Sequence, residues 1–249
     1  MIGSNYLDEL VNRLTTVLKD KLNSIYVVGS LSLGDFIWSS SDFDVFGVTN
    51  ATLTDRERDH LEQILDQEKF PCPAQGLDLL LMTKSQVENV NPEPDYEFWY
   101  ATGRNWPREK WDKGKCREML IFLQLGKEKG IKIYGSEPSV KFGDIDRRLI
   151  LKAFSEILQW HKENLFDGYH DPGGQNSVLN ACRIFMYVEH SRFYSKTEGA
   201  EAFLQCHQDH RTVEKALTNR QNGTTLAIEK GEVLALIAFV QKMLDQGLN

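Results

Sequence analysis

Leu7, Leu10, Val11, Leu14, Val17, Leu18 and Leu22 recur at helical spacing through residues 5–22, and the pattern predicts an amphipathic helix. The run Ser24–Ser30 (SIYVVGS) is β-branched and aromatic and halts at Gly29, as a strand entering a turn does. Asp42–Thr49 (DFDVFGVT) reads as a second strand. Thr54-Asp-Arg-Glu57 is a capping box opening a polar helix to about Gln67, and Pro71 and Pro73 close that segment. Gly76–Met82 (GLDLLLM) reads as a third strand. Residues 91–115 are Pro-rich, aromatic and weakly periodic. They read as a long ordered loop carrying Trp99, Tyr100, Trp106 and Trp111, of the kind that binds ligands. A helix over Arg117–Lys129 and a short extended piece, IKIYG, ending at Gly135 follow.

From about residue 140 the pattern becomes purely helical. Segments 144–165, 177–189, 195–205 and 231–244 show helix periodicity, and Ser195-Lys-Thr-Glu198 is a further capping box. The expected fold class is α/β: a small mixed-sheet domain over 1–140 followed by an all-α helical bundle over 141–249.

Composition narrows the partners. The 249 residues suit two ordinary domains, and 41% apolar with 26% charged residues marks a globular chain. The formal charge of −7 argues against a nucleic-acid partner held by phosphate contacts and favours a neutral or cationic small molecule. Four scattered cysteines without a C-x-x-C pair read as reduced thiols of a cytosolic protein. The N-terminus has no basic stretch leading into an apolar run, and no apolar stretch reaches membrane-spanning length. A cytoplasmic protein without a membrane partner is expected, and a monomer. His207 and His210 lack a second ligand pair at zinc-site spacing and read as a solvated helix end. There is no Walker P-loop and no G-x-S-x-G, so neither Walker-type ATPase nor triad hydrolase chemistry is supported.

The chemistry concentrates in GSLSLGDFIWSSSDFDVFG, residues 29–47. On a strand Asp42 and Asp44 share a face and Phe43 takes the other. Two like charges so placed suit a divalent metal, and Mg²⁺ is typically held by one or two carboxylates plus substrate phosphates. An isolated D-x-D also occurs in turns and on solvated edges. Here Asp78 lies inside another apolar strand and can face the same pocket. Gly29 lets backbone approach a phosphate, while Ser30 and Ser41 supply hydroxyls. Together these residues read as a site for a nucleoside triphosphate with Mg²⁺.

Val28-Gly29-Ser30 followed by Asp42-Phe43-Asp44 resembles the nucleotidyltransferase superfamily that includes DNA polymerase β. Ser177–Leu204 is similar to the helical domain of the aminoglycoside adenylyltransferases acting on streptomycin and spectinomycin. The resemblance implies a nucleotidyltransferase α/β domain in which Asp42 and Asp44 hold Mg²⁺ and Asp78 is the general base or shares the metals. It also implies that Arg183 and Lys196 reach the triphosphate and that Glu118 faces the nucleotide. Trp99 and Trp160, with Glu163 or Asp167, would contact a cationic drug. Each residue also has a plainer reading: Arg183 in a structural salt bridge, Lys196 as an exposed helix-start lysine, the tryptophans as core.

The reaction so implied is transfer of AMP from ATP to a hydroxyl of an aminoglycoside or aminocyclitol, with release of pyrophosphate, a drug-resistance chemistry. The alternatives are a nucleotidyltransferase of the same fold modifying a protein or RNA end, and a non-catalytic nucleotide sensor.

Overall fold

The computed structural model of the chain describes residues 2–103, 108–135, 140–168 and 170–248. Its elements, in chain order, are α1 (Ile2–Leu18), β1 (Leu22–Val27), α2 (Gly29–Ser32), β2 (Phe43–Thr49), α3 (Asp55–Leu65), β3 (Gly76–Thr83), α4 (Lys84–Glu88), β4 (Asp95–Gly103), β5 (Glu109–Lys115), α5 (Met119–Lys129) and β6 (Ile131–Tyr134). The helices α6 (Arg147–Glu163), α7 (Gln175–His190), α8 (Lys196–Cys206), α9 (Arg211–Asn222) and α10 (Lys230–Leu248) follow. Two compact units result, Met1–Ile145 and Asp146–Asn249, where the pattern of the sequence changes near 140.

In the first unit the described strands form one mixed sheet in the order β5-β4-β3-β2-β1-β6. Only β2 and β3 run parallel; the other pairings are antiparallel. One face buries Ile25, Phe43, Val45, Leu77, Leu79, Leu81, Phe98 and Tyr100 with Leu10, Leu14 and Leu18 of α1 and Leu61 and Leu65 of α3. Removing a side chain such as Phe43 from water is worth about 1.5–3 kcal/mol, so this face fixes which way each strand points. The opposite face packs on α5, where Gly126 comes close to Phe46 of β2.

Within the segment 91–115, expected as a loop, Asp95–Gly103 and Glu109–Lys115 are instead a pair of antiparallel strands, β4 and β5. In Tyr96-Glu97-Phe98 all three residues are buried. The period-two alternation that marks a half-buried strand is therefore hidden, while aromatic-rich composition favours pleated structure. The polar edge strand β5 is tied to α3 by Lys110, whose ammonium donates to Glu62 at 2.7 Å. Trp106 lies outside the described residues.

In the second unit α7 is the central helix, in contact with α6, α8, α9 and α10. Its burial on most sides follows from NSVLNACRIFMYV, apolar around nearly the whole circumference. His207, expected at a solvated helix end, is half-buried, its ring stacked on Phe203 at 4.4 Å. Helix α9 carries few apolar positions: Val213, Ala216 and Leu217 are its buried anchors.

Thr54 accepts from the Glu57 amide while Glu57 accepts from the Thr54 amide, closing the capping box at α3. Thr54→Ala should lower the stability of the first unit by about 1 kcal/mol, measured by chemical denaturation.

Candidate active site

Phe43 and Asp44 divide between the two faces of the sheet. Phe43 is buried in the α1/α3 core, its ring stacked on Tyr6 at 5.3 Å. Asp44 points to the other face, where it pairs in register with Asp78 on the parallel neighbour β3. Asp42 immediately precedes β2. The turn after β1 is held against this strand by the Val28 amide, which donates to the Asp44 carbonyl at 2.9 Å. At Gly29 φ is +61°, and a Cβ built there would overlap the Asp44 carboxylate. Glycine is needed twice over, for the left-handed backbone and for the room it leaves to Asp44.

Glu118 immediately precedes α5, where its side chain makes no capping hydrogen bond, and joins the acidic group beside Asp44. Its carboxyl is pushed up to about 7, first by burial and then by the charge of Asp44. Burial also raises Asp78 well above the ordinary carboxylate range, reinforced by Asp44, Glu118 and Asp42; a hydrogen bond from Trp99 opposes the shift. That bond runs from the Trp99 indole Nε1–H to Asp78 Oδ1 at 2.6 Å. Trp99 stands on β4, with its ring stacked on Trp111 of β5 at 4.5 Å. The sequence singled out Trp99 as a drug contact. Its bond to Asp78 follows only from the pairing of β3 with β4, which cannot be read from a segment that looks like a loop.

The donor set is all hard oxygen, which matches Mg²⁺ rather than a softer ion. Among the described residues no three His, Cys, Asp or Glu side chains form a ready-made metal cage. A Mg²⁺ completed by substrate phosphates needs only one or two carboxylates, and Asp42 and Asp44 meet that requirement. The Ser30 hydroxyl is buried without a hydrogen-bond partner among the described residues, as an oxyanion donor awaiting its ligand would be. Ser41 is buried, and its oxygen accepts from the Ile37 amide at 2.9 Å, which shapes the loop leading into Asp42.

In the second unit, Arg183 of α7 donates from Nε to the Tyr194 carbonyl at 2.9 Å and from Nη1 to Asn180 Oδ1 at 3.2 Å. Lys196 opens α8, and Gly199 of that helix presses closely on Arg183. Both cations act on His161, whose pKa is lowered to about 3 by burial first and then by Lys196, Arg183 and His170. These groups therefore share one electropositive neighbourhood. On α6 Trp160 is 40% exposed and Glu163 lies exposed one turn further on, where it accepts from Gln159. Asp167 accepts from the His170 amide at 3.3 Å. Asp171, which the sequence did not single out, is buried and accepts from the Asn176 and Ser177 amides and the Ser177 hydroxyl, tying down the start of α7. Its signal was an aspartate a few residues before an apolar helix.

Comparison with known proteins agrees with this layout. Residues 142–246 match the family model of the aminoglycoside adenylyltransferase C-terminal domain. The match falls almost entirely within the second unit. A crystal structure of spectinomycin adenyltransferase AAD(9) from Enterococcus faecialis with ATP and spectinomycin is similar over 97% of this chain and 99% of that one. The TM-score is 0.74 at 19% identity. Among curated proteins no match was found. The chain is a nucleotidyltransferase, with the mixed α/β sheet and helices of that fold.

Gly29→Ala should cost about 1–3 kcal/mol of stability and displace the Asp44 carboxylate, checked by denaturation and by a crystal structure of the variant. Glu118 gives a pH-dependent test. Its pKa in the folded protein is pushed up to about 7 from an ordinary 4.5, so the folded state binds the extra proton. The associated stability is complete below the lower value and lost as pH rises through the upper one. Glu118→Gln should therefore stabilise the protein at pH 8 by about 1–3 kcal/mol, and the gain should vanish near pH 4, read from thermal melts across pH.

Proposed function

We propose that this nucleotidyltransferase moves AMP from ATP to a hydroxyl of an aminoglycoside or aminocyclitol. The observation that carries the reading is the in-register pair Asp44 and Asp78, set on adjacent parallel strands beside the Gly29–Ser30 turn. Like charges are rarely held so close without a function that uses them. The family match over the second unit and the AAD(9) structure's bound ATP and spectinomycin support the choice of nucleotide and acceptor.

In this reading Asp78 takes the proton of the acceptor hydroxyl. Burial first, and then its neighbours Asp44, Glu118 and Asp42, make it a stronger base than an isolated aspartate. The hydroxyl oxygen forms a bond to the α-phosphorus of ATP, the bond from that phosphorus to the bridging oxygen breaks, and pyrophosphate leaves. Asp42 and Asp44 would hold Mg²⁺, which when bound neutralises phosphate oxygens and orients them for in-line displacement. The Gly29–Ser30 turn supplies the Ser30 hydroxyl to phosphate oxygens. Arg183 and Lys196 are assigned to the triphosphate, and the electropositive neighbourhood they create at His161 supports this. Trp160 and Glu163, exposed on α6, offer an aromatic face and a carboxylate to a polycation.

The test mixes the protein with ATP, Mg²⁺ and a panel including spectinomycin and streptomycin, and follows pyrophosphate. Release that depends on both drug and Mg²⁺ is expected. Release with a protein or RNA acceptor instead, or ATP binding without any release, would replace this reading with one of the alternatives. Asp78→Asn should lower turnover by about 10²–10⁴-fold with ATP binding retained in calorimetry.

A further inference from the structure

We infer that Trp99 is a positioning residue for Asp78: its indole N–H fixes one carboxylate oxygen and leaves the other to meet the acceptor hydroxyl. The inference rests on the base role proposed for Asp78.

The geometry is built into the sheet. Asp78 pairs with Ala101 and Leu80 pairs with Trp99, so the indole lies diagonally across from the carboxylate on one face. The 2.6 Å contact joins a donor with a single N–H to an acceptor with two oxygens. Trp99 is itself held from two sides. Trp111 is its cross-strand partner and stacks on it at 4.5 Å with 29° between ring planes, and Tyr96 meets it edge-on at 6.1 Å. A ring clamped in this way cannot swing its N–H elsewhere, so it transmits the rigidity of the β4–β5 pair to Asp78.

This matters because the terminal torsion of an aspartate is soft and roughly two-fold. Without a partner, either carboxylate oxygen can face the substrate over a broad range of angles. With Oδ1 engaged, Oδ2 alone remains in a narrowed orientation, which favours attack geometry. The arrangement also bears on the drug-platform reading of Trp99. One ring face is occupied by Trp111 and the polar edge by Asp78, so the indole is already committed within the sheet.

The test uses the full chain with ATP, Mg²⁺ and whichever drug supports turnover. Trp99→Phe keeps an aromatic ring for Trp111 and removes only the donor. We expect kcat to fall about 10–100-fold while KM for ATP and for the drug stay within about two-fold. A raised KM for the drug with kcat unchanged would make Trp99 a substrate platform and overturn the inference. A second readout is independent of turnover. The indole N–H resonance of Trp99, identified by its loss in Trp99→Phe, should move upfield in Asp78→Ala as the carboxylate acceptor disappears. An unmoved resonance overturns the inference even if Trp99→Phe folds poorly. Intact kcat in Trp99→Phe beside an inactive Asp78→Asn would sink this inference alone. Intact turnover in Asp78→Asn would instead remove the base role on which it stands.

Discussion

The first unit depends on holding Asp44 and Asp78 in register against their mutual repulsion. Nothing in the two strands favours placing the charges side by side; the apolar residues between and beyond them impose it. Phe43, Val45, Leu77, Leu79 and Leu81 can all be buried against α1 and α3 only in one register. That register puts Asp44 beside Asp78 on the opposite face, and a slip by one residue would bury the acids and expose the core. The glycine of the preceding turn then admits the Asp44 carboxylate where any side chain would exclude it. The core thus supplies the free energy, and the acidic site is where part of it is spent.

This explains what could be read in the sequence and what could not. Asp42, Asp44 and Asp78 stood out because charges interrupt apolar runs, and the two-residue spacing of Asp42 and Asp44 fixes their common face before any fold is known. The strand carrying Asp78 ended within a residue of its expected limit, since Gly76 and the cap residue Thr83 both leave local signals. The β4–β5 pair was hidden for the opposite reason. Glu97 is fully buried because it accepts from the Leu53 amide and from Gln86, partners distant in sequence. A charged residue inside a strand that faces the interior on both sides defeats any rule based on alternation. Glu118, expected at the nucleotide from the resemblance alone, joins the acids beside Asp44 because α5 packs over the same sheet face.

The second unit solves a similar problem with the opposite charge. Arg183 sits on the most buried helix, so its guanidinium needs acceptors; the Tyr194 carbonyl and Asn180 provide them and fix its direction. His161 is kept neutral by burial and by the cations around it. Ser177 sets the tautomer. Its hydroxyl donates to Asp171, so toward His161 Nδ1, 3.3 Å away, it acts as acceptor, and the ring proton belongs on Nδ1. Asp171 meanwhile satisfies the first amides of α7, where Gly174 at φ +76° offers no side-chain cap. One buried carboxylate thus anchors the helix that carries Arg183 and orients the imidazole beside it.

Three groups assigned to chemistry are thus each held by a neighbour. Asp44 has Gly29, Arg183 has Tyr194 and Asn180, and Asp78 has Trp99. The case of Asp78 differs in kind. Gly29 acts by the space it leaves, and the partners of Arg183, a backbone carbonyl and the Asn180 side-chain oxygen, act as acceptors. Trp99 acts through one N–H on a ring locked by Trp111 and Tyr96, so it alone combines donor, rigidity and apolar bulk. Phenylalanine keeps the bulk without the donor, and histidine keeps a donor on a smaller ring. A tryptophan facing an acidic pocket invites the reading of a surface for a cationic ligand. Its hydrogen bond to the pocket's proposed base makes it part of the machinery that aims that base.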